Sequence, residues 1–424
     1  MTLSSSLNIG AAGMAANSTE LNIVGDNIAN ANTIGFKGSR AAFEDMLGAS
    51  LAGVNGQVGL GTRLQAVQKI LTQGALTTTG LATDLAIQGQ GLFIVKDGAQ
   101  SYYTRAGQFT LDNEGYMTSL EGLRLQGYQA DAFGNVTGSM GDLLVGEATS
   151  PPRTTTEVMI RANLDSSAEI VGPFDPLNPS STSNFSTTTT VYDSLGEAYE
   201  VTLYFEKTAD AEWTYHAMVD GDTVSNGNPG ELTEIAGGTL TFDTDGKLLD
   251  SQQFNDDFQP LGATAPQPLV FDFGNAINNG GDGTGGITQF SAPSATTFVS
   301  QDGFAAGDLA RIAIDDGGNI VGTFTNGQTR VLGQVALADF PAPDQLDRIG
   351  GNLFAANPAA GQPAIGEPGA GGRGILVAGA LEQSNVDLAS EFVRMIVAQR
   401  SFQANSKTIS TADQLLAELV QLKR

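Results

Sequence analysis

Cysteine is absent from the 424-residue chain, which excludes disulfides and thiolate metal sites and suits a protein working outside the cytosol without oxidative folding. His216 is the single histidine and follows Trp213 and Tyr215 in a strand-like run, so it is expected to be packed. One histidine offers no pattern for a zinc site or a nucleophilic triad. Basic residues are scarce, 20 Lys and Arg against 46 Asp and Glu, and the net charge of −26 makes nucleic acid and anionic membranes poor partners. No apolar run approaches the roughly 20 residues that cross a bilayer, so membrane insertion is not expected. The start, MTLSSSLNIGAAGMAA, has no basic n-region and no continuous apolar stretch, so no cleaved secretory signal is expected. Composition alone reads as soluble and cytoplasmic.

Catalytic patterns are missing as well: there is no P-loop, no G-x-S-x-G and no H-E-x-x-H. Gly281, Gly283 and Gly286 spell G-x-G-x-x-G, but inside the low-complexity run NNGGDGTGG (278–286), with no strand–helix context for a dinucleotide. The acidic turns lack the terminal Glu of a calcium loop. No pair of carboxylates is singled out. The expectation is a protein that is not an enzyme, with no cofactor and no metal.

What is present is glycine, 54 residues of it, with charged residues at only 16%, a composition of many short strands and turns. The length allows two or three domains with real cores. Charge is unevenly placed. Residues 1–71 and 376–424 are each neutral, and the acidic excess lies in 72–375, with 37 acids against 11 bases. This distribution reads as an acidic exterior around neutral, self-associating ends.

Both ends carry apolar rows at seven-residue spacing. The first is Leu7, Met14, Leu21 and Ile28, with Leu3 and Val24 on an adjoining position that otherwise holds Gly10, Asn17 and Ala31. The second is Leu381, Leu388, Met395, Phe402, Ile409 and Leu416; its companion position holds Phe392 and Val420 but also Gln399, Ser406 and Asp413. Ser384, Asn385 and Asp387 suit a helix N-cap. Seven-residue spacing is the coiled-coil period, so the two ends are expected to pair, with neighbouring subunits supplying the burial that the weak second position lacks. Packing of each stripe on a globular core is the plainer alternative.

The middle reads as β almost throughout, with D-x-x-G turns between alternating runs in QFTLDNEGYMTSLEGLRLQGY (108–128), TVYDSLGEAYEVTLYF (190–205), TLTFDTDGKLLDS (239–251) and IAIDDGGNIVGTFTNGQTRVLGQVAL (312–337). The first and last are alike and read as halves of one domain split by an insertion. Pro151-Pro152 and NNGGDGTGG mark its expected edges. The fold class expected is multidomain: a coiled-coil domain of paired terminal helices (1–71 plus 376–424), a middle β domain (72–146 plus 289–375) and an outer β domain inserted into it (147–288).

One stretch is more specific. In NIANANTIGFK (27–37), Asn27, Asn30 and Asn32 crowd a helix C-terminus, where Asn tolerates left-handed backbone; Gly35 permits a sharp turn and Phe36 anchors the next segment. The string resembles the N-terminal signature of the bacterial flagellar rod and hook axial proteins, a helix running into N-N-I-A-N-x-x-T-x-G-F-K, with Asp26 in place of the first Asn. LEQSNVDLASEFVRMIVAQRSFQANSKTISTADQLLAELVQLKR (381–424) resembles that family's C-terminal helix. TRAGQFTLDNEGYM (104–117), NLDSS (163–167) and TVYDSLGEAYEVTLYFEK (190–207) resemble its hook members. The resemblance implies a subunit exported unfolded by the flagellar type III apparatus, which polymerises with itself into a curved tubular joint. It implies a distal rod protein, a hook cap and hook–filament junction proteins as neighbours. Its polymerisation residues would be Leu7, Met14, Leu21, Asn27, Ile28, Asn30, Gly35, Phe36, Leu388, Met395, Phe402, Ile409 and Leu416. A distal rod protein with an enlarged insertion is the near alternative. A secreted β-rich adhesin or glycan-binding protein, with exposed aromatics near Trp213, is the distant one.

Overall fold

The computed structural model describes residues 3–47, 59–146 and 148–422. Expectations that touch residues 1–2, 48–58, 147 and 423–424, and the side chains of Leu3 and Val420, lie outside the described residues. The chain opens in one α-helix, α1 (Leu3–Ala29), and closes in another, α2 (Leu388–Leu422); the body between them is β-rich.

Both helix ends follow from local chemistry. At the end of α1 the bonding tightens: the Asn30 N–H donates to both Asp26 O (3.1 Å) and Asn27 O (3.2 Å), and the Thr33 N–H to Asn30 O. The Asn30 side chain also donates back to Asp26 O. Asp387 caps α2, its carboxylate accepting from the Ala389 N–H at 2.8 Å and the Ser390 N–H at 3.3 Å. With 35 residues α2 is about 52 Å long at about 1.5 Å per residue.

The chain divides into two compact units, Met1–Ala148 with Ala310–Thr323 and Thr329–Arg424, and Thr149–Leu309 with Phe324–Gln328. In the first, the strands Thr329–Val335, Arg124–Ala130, Leu92–Asp97, Gln100–Thr104 and Leu353–Ala355 lie side by side, all antiparallel. Tyr128 pairs with Gln334, so the two similar stretches 108–128 and 312–337 meet in one sheet. Leu92, Ile94, Tyr103, Ala338, Phe340, Leu346 and Phe354 form a core here, with the Tyr103 and Phe340 rings edge to face at 4.8 Å. A separate antiparallel ribbon, Ser39–Leu47 with Gly59–Lys69, follows α1. Two short pairings, Ile375–Ala378 on Leu85–Gln88 and Ala380–Glu382 on Leu76–Thr78, bind the approach to α2 to this unit.

The second unit holds a five-stranded antiparallel meander from Phe185–Tyr192 to Leu248–Asp256 and a three-stranded sheet of Val270–Asp272, Glu157–Asn163 and Ala295–Gln301. Alternation drives it: in Ala198–Ala209, Tyr199, Val201, Leu203 and Phe205 turn inward to meet Trp213, Tyr215, Phe271 and Phe273. Trp213 and Tyr215 are fully buried, so neither is itself an exposed aromatic of the kind a glycan-binding module uses. Strand pairing carries this unit beyond residue 288. Ala295–Gln301 lies antiparallel to Glu157–Asn163, with Ile160 opposite Val299, and the unit runs on to Leu309. NNGGDGTGG is a loop inside the unit, because Ile287 just beyond it is buried and its N–H donates to Phe273 O at 2.8 Å.

The D-x-x-G turns share one mechanism. The Asp carboxylate accepts backbone N–H groups two and four residues on, as at Asp112 (Glu114 and Tyr116, both 2.9 Å) and Asp243 (Asp245, 2.9 Å; Lys247, 2.8 Å). The closing glycine takes positive φ, 79° at Gly115 and 76° at Gly246.

A junction of the two chain ends as candidate functional site

NIANANTIGFK reaches a destination that explains it. Asn27 is buried in the last turns of α1 and bridges two neighbours. Its Oδ1 accepts from the Ser39 N–H at 2.9 Å, and its Nδ2 donates to Ser39 O at 2.8 Å and to Glu391 Oε2, in the first turn of α2, at 3.2 Å. Gly35 has φ of 70°, and a Cβ there would fall 2.5 Å from the Ala106 nitrogen; its N–H donates to Glu382 O at 2.7 Å. Phe36 is buried, with the Arg348 guanidinium 4.9 Å above its ring. Asn385 answers from the other end of the chain, accepting from the Gly38 N–H at 2.9 Å and donating to Ile70 O at 2.8 Å.

Beneath these lies an ion cluster. Glu382 has no exposed side-chain surface, and Lys37 and Arg105 have 3% and 6%. Lys37 Nζ donates to Glu382 Oε1 at 2.6 Å and to Thr72 O at 2.8 Å; Arg105 Nε donates to Glu382 Oε2 at 2.5 Å. The Gly74 N–H adds a bond to Oε1 at 2.8 Å. Arg105 completes its fork on three backbone oxygens, Ile87 (2.8 Å), Gly89 (2.6 Å) and Gly91. Burial pushes the Glu382 carboxyl up, but the charge of Arg105 and the hydrogen bonds from both cations outweigh it, and the group is held below the ordinary carboxylate value. Burial holds the Lys37 ammonium below its ordinary value despite Glu382 beside it. A cavity of about 290 Å³ adjoins the cluster, walled by Leu92, Phe340, Leu346 and Phe354 as well as by the two cations. Those cations are bonded to Glu382 and backbone oxygens, so the arrangement holds chain segments together.

Above the junction the helices run antiparallel. Gly10 faces Ile409, Gly13 faces Asn405, and Asn27 faces Glu391. A Cβ on Gly10 would lie 2.8 Å from Ile409 Cγ1 and one on Gly13 would lie 2.6 Å from Asn405 Nδ2, so glycine permits the close approach. The seven-residue rows are placed differently from a closed seam. Leu7, Met14, Leu21, Ile28, Met395, Ile409 and Leu416 are half-buried, while Leu388 and Phe402 remain 43% and 37% exposed. The row on α2 that turns inward is Glu391, Ala398 and Ala412, with Asn405 between them in the same spacing and half-buried. Of the residues expected to matter, Asn27, Gly35 and Phe36 meet in the junction. Asn30 serves α1 locally, also accepting from the Thr33 hydroxyl at 3.1 Å.

Glu382, Arg105 and Glu391 are site residues that the sequence reading does not single out, and Asn385 figures there only as a candidate N-cap. Arg105 sits in TRAGQFTLDNEGYM and Glu382 in LEQSN, but nothing in either stretch sets a buried charge apart from a solvated one.

Known proteins match along the whole chain. Residues 7–37 match the family described as "Flagella basal body rod protein", 86–163 "Flagellar hook protein FlgE/F/G D1 domain", 163–304 "Flagellar basal body protein FlaE D2 domain", and 377–422 "Flagellar basal body rod FlgEFG protein C-terminal". The flagellar hook protein FlgE of Borreliella burgdorferi is 36% identical over 99% of this chain and 99% of its own length. That of Escherichia coli K12 is 35% identical over 97% and 98%, and that of Salmonella typhimurium 33% over 97% and 98%. With relatives of this identity spanning nearly all of both chains, and with the N- and C-terminal signatures meeting in one junction, the chain belongs to the flagellar hook protein family.

Proposed function

We propose that this chain is the structural subunit of the flagellar hook, polymerising with itself through its two ends into a curved tubular universal joint that passes torque from rod to filament. The observation that carries the reading is likeness to hook proteins over the full length. The structure supports the polymeric part. On α2, Leu388, Phe392, Val393, Ile396 and Val397 are exposed, an apolar surface along about two and a half turns that a single chain leaves in water. In the polymer, neighbouring copies cover it, and α1 and α2 act as a coiled-coil-like pair whose inward row on α2 alternates polar and small residues, Glu391, Ala398, Asn405 and Ala412. The expected polymerisation rows fit this role as faces turned to other copies.

The division into a terminal helical domain, a middle β domain and an outer β domain within it belongs to the same reading. So do the neighbours: the distal rod protein, the hook cap, the hook–filament junction proteins and the type III export apparatus. The polar, acidic middle of the chain suits hydrated contacts that slide as the tube bends. Ile396→Asp and Phe392→Asp test the reading. Each puts a charge on the exposed face of α2, where the lone subunit changes by no more than about 0.5 kcal/mol. Micrographs of cells carrying either variant should lack hooks while circular dichroism of the purified subunit stays unchanged. Hooks in normal number would refute the assignment of this face.

A further inference from the structure

The junction holds three charged side chains where an apolar core would hold the fold equally well. Replacing a buried ion cluster by well-packed apolar residues is often neutral or stabilising, so net stability is a weak reason for one to exist. What directional bonds add is position: packed methyl groups tolerate sliding, whereas a carboxylate gripped from two sides has one geometry. Lys37 belongs to the segment leaving α1, Glu382 to the strand entering α2, and Arg105 to the β body, with Lys37 and Glu382 345 residues apart in sequence. Both covalent routes between helices and body, 30–38 and 380–387, pass this point, tied by Gly35 N–H to Glu382 O and by Gly38 N–H to Asn385 Oδ1. Arg105 extends the grip to the oxygens of Ile87, Gly89 and Gly91 beside the central sheet.

We propose that Lys37, Glu382 and Arg105 form a torque clamp that locks the helix pair in register with the β body, so that twist applied to the helices reaches the body without slip. The inference rests on the hook reading and names the residues within it that bear the load. Arg105 and Lys37 are positioning residues, acting through Glu382.

The test uses a hook-deficient strain complemented with the full chain, wild type or variant. Arg105→Lys keeps the charge and loses the fork; Lys37→Met removes the second grip on Glu382 and keeps the volume. Electron micrographs first establish whether the wild-type chain forms curved hooks, and their absence would sink the hook reading itself. Torsional stiffness is then measured from the elastic recoil of tethered cells after motor stall. The clamp requires both variants to assemble hooks in normal number with a loss of stiffness, and with faster amide exchange at Gly35 and Gly74 while Val95 in the central sheet keeps its protection. Unchanged stiffness in hooks of either variant overturns the clamp and leaves the cluster a fold-holding core. Loss of hooks with a folded, exported subunit also overturns it, because the cluster then serves assembly. If Arg105→Lys does not fold, Lys37→Met decides alone, and uniform loss of protection across the sheet in both variants counts against the proposal.

Discussion

Gly13 of α1 stands against Asn405 of α2 with no room between them: a Cβ on Gly13 would fall 2.6 Å from the Asn405 amide nitrogen. The obstacle there is an unbranched amide side chain that can turn about χ1, whereas at Gly10 it is Cγ1 of β-branched Ile409, stiff at χ1, at 2.8 Å. Alanine in place of an interior helical glycine gains about 0.8–1 kcal/mol of propensity. Overpacking costs about 1–3 kcal/mol. Gly13→Ala should therefore be near neutral and Gly10→Ala destabilising. Thermal depolymerisation of purified hooks is the measurement, with the Gly10 variant melting lower; the reverse order would mean the helices do not meet at these positions.

Asn27 supplies both bonding groups to Ser39, and Asn27→Ala orphans a buried N–H and a buried C=O. An unsatisfied buried group costs about 1–3 kcal/mol, and a drop in the urea midpoint of that order is expected. Asn27→Asp should be worse at neutral pH, since the new carboxylate would stand about where Nδ2 now meets Glu391 at 3.2 Å. It should recover part of the loss as pH falls and the introduced carboxyl takes up a proton.

What the sequence reveals is local. Helix ends, their Asn and Asp caps and the D-x-x-G turns are decided within a few residues, and each appears where those residues stand. Asn27, Gly35 and Phe36 stand out because they punctuate a helix. Glu382 and Arg105 do not, because their partners lie 345 and 277 residues away and a single charge looks like any solvated one. Apolar spacing puts the companion row on α2 four residues beyond the main row, at Phe392, Gln399, Ser406 and Asp413. The inward row lies three residues beyond, at Ala398, Asn405 and Ala412. Small residues mark close helix approach without raising hydrophobicity, so an apolar search passes over them. Glycine-rich sequence such as NNGGDGTGG likewise looks like a linker whether it joins domains or crosses one.

Gly35→Ala is expected to combine two penalties. Left-handed backbone costs a residue with a Cβ about 1–2 kcal/mol, and here the Cβ also meets the Ala106 nitrogen at 2.5 Å and the Arg105 carbonyl carbon at 2.7 Å. Gly122 is the control, with φ of 83° and nothing within 4 Å of where a Cβ would stand, so Gly122→Ala carries the backbone cost alone. Equilibrium unfolding of the two variants should show Gly35→Ala clearly the less stable. Equal losses would mean that the turn at Gly35 relaxes away from Ala106 without effect.

Acid should loosen the junction, and the sign follows from Glu382. Its carboxyl is held below the ordinary value of 4.5, so the folded chain keeps this proton off where the unfolded chain takes it up. The contribution to stability is complete above 4.5 and is lost as pH falls through the folded value, because there the unfolded state binds more protons. Lys37 acts at the opposite end of the scale: burial depresses its ammonium, so between its folded value and 10.5 the folded chain releases the proton first and stability gains from this group as pH rises. Other depressed carboxylates, Asp142 and Asp302 among them, add their own acid slopes, and a difference measurement separates them. Glu382→Gln leaves two buried cations without their carboxylate and should cost about 3–5 kcal/mol near neutrality. Below pH 4.5 its stability curve should approach the wild-type curve, as the wild type loses the same charge by protonation. Unfolding midpoints of the two chains from pH 7 to pH 3 supply the comparison. A constant gap across that range would mean that the Glu382 carboxyl binds protons alike in the folded and unfolded chains and is not held below its ordinary value.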